Sequence, residues 1–279
     1  MSTARWRPPP GAAYVMPLFL AMLLAFNLPI LLMLGRSVSG LEFSLEHYQR
    51  LVEAPVYLRV LANTFKIAVI STLACMVLGY PLAYWMRGLR PGWQLVAVSL
   101  VVLPFWVSIL VRTYAWIVVL GNDGVVNRTL MGLGLIIDPL PFLYAELGVV
   151  IGTANILLPF LVLPLFAAML KIDDRLLDAA ASLGAPPRTI FRRVFFPLTI
   201  PSFGAGAVLV FILTLGFFVT PAILGGGRVP MIANMLETLI NRMPRWELAA
   251  AISTVLLVVT LLFFALYRRL SEASEGTLR

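Results

Sequence analysis

The chain has 279 residues, of which 61% are hydrophobic and only 12% are charged, and its formal net charge is +8 at pH 7. Soluble domains are about 45–50% apolar and about 25% charged, so this chain has too few charged residues to cover a water-exposed surface, and a soluble globular protein is excluded. The arginines stand in small groups at the ends of apolar runs rather than in one basic stripe, which favours a membrane protein over one that binds nucleic acid.

Runs of about 20 apolar residues are needed to cross the hydrocarbon core of a bilayer as a helix. Six such runs follow one another and predict an all-α, polytopic membrane protein with six transmembrane helices. The predicted spans are Tyr14–Leu34, Leu61–Met86, Leu95–Leu120, Phe142–Leu170, Phe203–Leu224 and Leu248–Tyr267. Several contain a proline, which neighbouring helices accommodate in a membrane and which can also kink a span. No internal repeat or low-complexity linker divides residues 1–279, so one transmembrane domain is expected.

Lysine and arginine are most frequent on one side of the predicted spans. On that side lie Arg5, Arg7, Arg87, Arg90, Lys171, Arg175, Arg188, Arg192, Arg193, Arg268, Arg269 and Arg279. The arginines on the other side are offset by acidic residues. Because basic residues concentrate in cytoplasmic loops, both termini and the segment between the fourth and fifth spans are expected in the cytoplasm. On the outer side, residues 41–62 fit either a short interfacial helix or a solvated connection.

Several kinds of chemistry have no support in the sequence. There is no G-x-x-x-x-G-K-[ST] loop for nucleotide phosphates, and His47 lies away from any serine in a G-x-S-x-G setting. The single cysteine, Cys75, leaves no intramolecular disulfide and no cysteine-rich metal site. No aspartate lies within a predicted span, and Glu146 lies near the outer end of the fourth, whereas ion-coupled transporters commonly bury acidic residues near the midplane. We therefore expect no catalytic site, no metal site and an energy source outside this chain.

Two basic residues fall inside predicted spans. Lys66 can extend its ammonium group to the outer interface along its aliphatic stem. Arg112 lies deeper, within Val-Arg-Thr-Tyr-Ala-Trp, where a charge is costly unless it faces protein or water. Arg112 is therefore the better candidate for a functional group.

A charged segment with one glycine, residues 171–202, separates the fourth span from the fifth. Within it, Ile172–Leu183 is predicted to be helical, because it has good helix formers and carries Asp173 and Asp174 in its first turn. Gly184 is expected to end this helix in the left-handed conformation.

Pro186 and Pro187 are placed to open a second helix, which is predicted to run to about Phe195 and to stop before Pro197. The first helix has one apolar face, formed by Leu176, Ala179, Ala180 and Leu183. Such a helix–glycine–helix elbow, held beneath the membrane, is expected to dock into a groove on another protein.

The spacing within this elbow is more specific than its shape. Asp178-Ala179-Ala180 is followed after three residues by Gly184 and, after nine more, by Val194-Phe195-Phe196-Pro197. This pattern resembles the cytoplasmic loop of binding-protein-dependent ABC importer permeases, which reads Glu-Ala-Ala, three residues, Gly, nine residues, Ile-x-Leu-Pro. Here aspartate stands for glutamate, valine for isoleucine and phenylalanine for leucine, so the acidic side chain has a shorter reach.

The resemblance extends over most of the chain, since residues 63–64, 103–116, 121–127 and 218–226 are similar to permeases of spermidine/putrescine-type importers. It implies a type I importer fold in a bacterial cytoplasmic membrane, with a permease core at about 61–267 and an ATPase-docking loop at 171–202. The coupling residues that it implies are Asp178, Ala179, Ala180, Leu183, Gly184, Val194 and Pro197. The implied partners are a second homologous permease, two copies of an ATPase subunit that bind ATP and Mg, and an extracytoplasmic solute-binding protein.

The same resemblance implies a polyamine such as spermidine or putrescine as the solute, which aromatic rings can hold through cation–π contacts. Candidate residues of the solute path are Trp106, Arg112, Tyr114, Trp116, Asn155 and Phe217. Arg112, together with Arg245 beside Trp246, leaves an amino-acid-like, opine or phosphonate solute open. A secondary transporter that acts alone is the alternative from a different class.

Overall fold

The computed structural model describes residues 12–38 and 46–277, and every regular element in these two ranges is helical. The α-helices are α1 (Ala12–Ser37), α2 (Glu46–Glu53), α3 (Pro55–Arg87), α4 (Pro91–Val102), α5 (Ile109–Leu120), α6 (Val125–Gly132), α7 (Glu146–Leu170), α8 (Asp174–Ser182), α9 (Pro187–Ile190), α10 (Phe196–Leu215), α11 (Val219–Leu224), α12 (Ile232–Glu237) and α13 (Trp246–Thr277). A 3-10 turn at Leu103–Trp106 and π-helical turns at Phe191–Phe195 and Thr238–Arg242 adjoin these helices. The predicted all-α class is confirmed.

Six helical segments within the described ranges are long and apolar enough to cross a membrane, so the predicted number of spans is confirmed. They are Val15–Ser37, Pro55–Arg87, Ile109–Gly132, Glu146–Leu170, Pro187–Leu215 and Trp246–Arg269. Within residues 41–62 the described part starts at residue 46 and comprises α2 and the beginning of α3. Arg5, Arg7 and Arg279, used above to orient the chain, lie outside the described residues.

The third predicted span, Leu95–Leu120, is not one continuous helix. α4 passes into the 3-10 turn, and the backbone leaves the helical region at Val107 and Ser108 before α5 begins. Pro104 lies in this turn and has no N–H to continue the hydrogen bonding of α4. The predicted bounds of the third span therefore differ from the structure, in which the long apolar segment is Ile109–Gly132.

The fifth span begins and ends earlier than the predicted Phe203–Leu224. α9, the π-helical turn and α10 form one helical segment, Pro187–Leu215. The expected stop before Pro197 is wrong, because Pro197 falls in the first turn of α10, directly after the π-helical turn, where a missing N–H costs little. The chain leaves this helix at Gly216, and α11 follows as a separate short helix.

α7 lies at the centre of the bundle, where it packs against α3, α10 and α11. Its sequence is apolar all round, as expected for a helix surrounded by protein, and Leu161 and Val162 are fully buried. Gly152 lets α11 approach closely, since a Cβ there would lie 2.4 Å from Leu224 Cδ1. α1, in contrast, has no buried residue in its apolar stretch and packs against α13.

Candidate functional site

α8 forms the first arm of the elbow, and its start is fixed by a side-chain cap. The Asp173 carboxylate accepts a hydrogen bond from the backbone N–H of Arg175 at 2.9 Å. The helix begins at Asp174 rather than at the predicted Ile172, because Asp173 has an extended backbone and acts as the N-cap. The Ile172 side chain, just before the cap, is buried in the hydrophobic core. The first arm is thus anchored to the bundle just before it begins.

The end of α8 is a glycine turn stabilised by two backbone hydrogen bonds. The N–H of Gly184 donates to the carbonyl oxygen of Ala181 at 2.9 Å, and the N–H of Ala185 donates to that of Ala180 at 3.2 Å. Gly184 has φ +80°, the left-handed conformation that its sequence position predicts. Pro186 is extended, and α9 then begins and continues into the fifth span.

The outward surface of α8 combines apolar side chains with the exposed charged residues Arg175 and Asp178. Leu177, not Leu176, packs against the core, whereas Leu183 is 89% exposed. Asp178 and Ala179 are also exposed, and no ion pair involves the Asp178 carboxylate within the described residues. α8 packs against α9 and the π-helical turn, so this outward surface has no cover from the described part of the chain.

The remaining implied coupling residues lie at different depths. Ala180 on α8 is half-buried. On the second arm, Val194 is half-buried, and Pro197 is exposed in the first turn of α10. The sequence analysis missed Arg87, which forms an ion pair with Asp174 at the start of α8. These two residues are 87 positions apart, and no local pattern pairs them.

Arg112, the basic residue predicted within the third span, lies on α5. Its Nε and Nη1 atoms are buried and have no hydrogen-bond partner among the described residues. The neighbouring Thr113 is buried, and its hydroxyl donates to the carbonyl oxygen of Ile109 at 2.7 Å. The Thr113 and Thr220 hydroxyl oxygens lie 3.3 Å apart, which joins α5 to α11. Arg112 is therefore held on a fixed helix with two donors that need an acceptor.

The structure joins two of the other predicted path residues. Trp116 Nε1 donates a hydrogen bond of 3.3 Å to Asn155 Oδ1, which links α5 to α7. Phe217 is half-buried in the break between α10 and α11 and packs against the core. Tyr114 and Trp106 are exposed, and no hydrogen bond within the described ranges joins either to Arg112. The predicted set is thus only partly assembled by direct contacts.

An ion pair that the sequence analysis did not anticipate joins α3 to α7. Lys66 Nζ lies 2.6 Å from Glu146 Oε2, and both side chains are about half exposed. Lys66 therefore has a carboxylate partner instead of reaching the interface alone. The described residues contain no group of three or more histidine, cysteine, aspartate or glutamate residues that could hold a metal ion.

The chain is similar to known proteins in both sequence and fold. No family model matches the chain. It is 38% identical over 237 residues to the spermidine/putrescine transport system permease protein PotB of Haemophilus influenzae, an alignment that covers 84% of this chain and 82% of that protein. It is 35% identical over 258 residues to PotB of Escherichia coli, covering 92% and 94%.

Among solved structures, the fold is similar to a bacterial alginate ABC transporter in complex with its alginate pentasaccharide-bound periplasmic protein. The TM-score is 0.70 at 20% identity, and the match covers 93% of this chain and 94% of that chain. At this identity the likeness shows a shared fold.

Proposed function

The chain belongs to the PotB family of ABC transporter permeases, and from this premise we propose that it forms half of the path along which an importer carries its solute across the bacterial inner membrane. The observation that carries the proposal is the outward surface of α8, where Asp178, Ala179 and Leu183 are exposed beside the turn at Gly184. An apolar patch with an unpaired carboxylate suits docking into a groove with a basic residue. Partner subunits bind ATP with Mg and hydrolyse it, and this chain is not an enzyme.

The elbow is the ATPase contact in this arrangement. The Asp178 carboxylate pairs with a basic group of the ATPase, while Ala179, Ala180 and Leu183 fill its groove. Gly184 sets the angle between the arms. Val194 and Pro197 hold the second arm in line with the fifth span, a role supported by the continuous helical segment from α9 to α10.

The complex contains two different permeases, two ATPase subunits and an extracytoplasmic solute-binding protein. An ATPase pair offers two grooves and this chain has one elbow, so a second permease must supply the other. All residues from 1 to 279 form one transmembrane domain with both termini in the cytoplasm, which agrees with the distribution of arginines. The alginate transporter of similar fold was solved with a periplasmic protein, which supports a partner of that kind here.

The solute is a polyamine such as spermidine or putrescine, by similarity to the PotB permeases. The exposed rings of Trp106 and Tyr114 are available for cation–π contacts with its ammonium groups. One observation favours a second candidate, because the two unbonded donors of Arg112 match a carboxylate or phosphonate. An amino-acid-like, opine or phosphonate solute is therefore the alternative, handled by the same machinery.

The test is uptake into proteoliposomes that contain the complex purified with its natural partners. We expect spermidine or putrescine to accumulate only with ATP at the ATPase face and the binding protein at the opposite face. Uptake of an aminophosphonate but no polyamine would keep the importer role and replace the solute. Uptake by this chain alone, without ATP, would instead identify a secondary transporter and refute the proposal.

A further inference from the structure

One side chain, that of Arg87 at the end of α3, touches three other elements. Its Nε donates to the carbonyl oxygen of Met169 near the end of α7 at 3.0 Å. Its Nη2 forms an ion pair with the carboxylate of Asp174 in the first turn of α8. Its guanidinium carbon lies 4.9 Å from the centre of the Phe195 ring in the π-helical turn. We propose that Arg87 is the positioning residue through which a displacement of the elbow reaches the second and fourth spans.

The surroundings of Arg87 hold its guanidinium group in place on the α3 side of the ion pair. The Arg87 side chain is only 18% exposed, while that of Asp174 is 78% exposed. An exposed ion pair contributes little stability, so the pair with Asp174 is weak by itself. The backbone carbonyl and the aromatic ring nevertheless fix the planar guanidinium group in one orientation, which a lysine ammonium group could not reproduce. Arg87 is therefore a rigid attachment point for the Asp174 carboxylate on the first arm.

The second arm is attached to the same helix by aromatic contacts. The Tyr84 ring lies 5.3 Å from the rings of Phe191 and Phe195, and the Tyr80 hydroxyl lies 3.0 Å from that of Thr199. Positions 80, 84 and 87 share one face of α3. Within the described residues, however, no hydrogen bond or ion pair other than Arg87–Asp174 joins α8 to α3. Aromatic packing and the Tyr80–Thr199 hydrogen bond thus hold the second arm, and one ion pair links the first arm to the second span.

This arrangement separates docking from transmission. The docking residues proposed above lie on the outward surface of α8, whereas Asp174 points back to Arg87. When ATPase closure displaces α8, the pair carries that displacement to the end of α3 and, through Met169, to the end of α7. The inference rests on the proposed docking of the elbow, but it concerns a later step: loss of Arg87 should spare ATPase binding and impair the coupling of hydrolysis to uptake.

The experiment uses the full complex in proteoliposomes and measures the uptake of solute per ATP hydrolysed. For Arg87→Met we expect this ratio to fall about fivefold, the size of effect expected for one partly exposed charge-assisted contact. Asp174→Asn should lower the ratio by a smaller factor, and the double variant should be no worse than Arg87→Met, because both remove the same link. Arg90→Met, at an exposed arginine three positions further on, is the matched control and should behave like wild type.

The amount of ATPase subunit that copurifies with the permease is measured in parallel. Unchanged copurification with a lowered ratio supports the inference. A wild-type ratio in both Arg87→Met and Asp174→Asn would overturn it and leave the docking proposal intact. Loss of ATPase binding in Asp174→Asn would also overturn it, because Asp174 would then be a docking residue. If the wild-type chain retains no ATPase, the proposed function itself fails. If Arg87→Met does not insert, Asp174→Asn, a change at an exposed carboxylate, decides alone.

Discussion

The turn at Gly184 allows a sharp test of the elbow through the substitution Gly184→Ala. A Cβ at this position meets no atom within 4 Å, so the new methyl group clashes with nothing. The penalty comes from the backbone alone, because φ is +80° and an L-residue in the left-handed region costs about 1–2 kcal/mol. If the turn relaxes to avoid this strain, α8 changes direction relative to α9. A penalty of this size corresponds to a loss of ATPase affinity of about 5–30-fold.

The assay is titration of the ATPase subunit onto the permease complex in nanodiscs. Gly92→Ala is the matched control, because a Cβ at Gly92 in the first turn of α4 also meets no atom within 4 Å and φ there is not positive. We expect Gly92→Ala to bind the ATPase like wild type, since alanine is preferred to glycine in a helix. Gly184→Asn should recover part of the affinity, because asparagine tolerates the left-handed region. Equal affinities for Gly184→Ala and Gly92→Ala would refute the reasoning.

Three further substitutions test other parts of the molecule. Asp178→Ala should weaken ATPase binding about tenfold in the same titration through loss of a charge-assisted bond, whereas Asp123→Ala, at an exposed turn before α6, should have no effect. Arg112→Met should change the affinity or rate of uptake while the complex still assembles, and normal transport would contradict the assigned role. Gly152→Ala should lower the melting temperature and slow uptake, since its Cβ would lie 2.4 Å from Leu224 Cδ1 and such overpacking costs about 1–3 kcal/mol. An unchanged melting temperature and rate would show that α11 can move aside.

Features with a local cause could be predicted from the sequence. The six spans follow from the lengths of apolar runs, and the left-handed turn follows from a glycine placed directly after a predicted helix. The cap at Asp173 also involves atoms only two residues apart, although the sequence analysis placed Asp173 in the first turn of the helix instead of at its cap. In each case the residues that decide the structure are neighbours in the chain, so a pattern within one segment contains the necessary information.

Contacts between distant segments could not be predicted in this way. The Lys66–Glu146 pair joins residues 80 positions apart, and nothing in either segment specifies the other. Whether a given proline interrupts a span could not be predicted either, because this also depends on distant segments. Pro81 and Pro159 lie inside continuous helices, whereas Pro104 lies where the third span breaks. Whether a proline ends a membrane helix depends on whether packed neighbours satisfy the polar groups that it leaves unbonded, and that information lies elsewhere in the chain.

The charge of Arg112 constrains which solutes can move along the proposed path. Arg112 lies on α5, and α5 packs against α11, the short helix that follows the end of the fifth span at Gly216. An ammonium group that passed within about 4 Å of the Arg112 guanidinium would be repelled by about 4 kcal/mol at an effective dielectric constant of about 20.

A polyamine path near Arg112 therefore requires an acceptor that offsets this charge. The buried Nε and Nη1 atoms of Arg112 lack any such acceptor within the described residues. In the proposed complex the second permease faces the same path, and for a cationic solute we expect it to supply the acceptor. For an anionic solute the ligand itself can supply it. The solute charge and the contact between the two permeases are thus linked through one arginine, which makes Arg112 the residue at which a change of solute class would require a change in the partner.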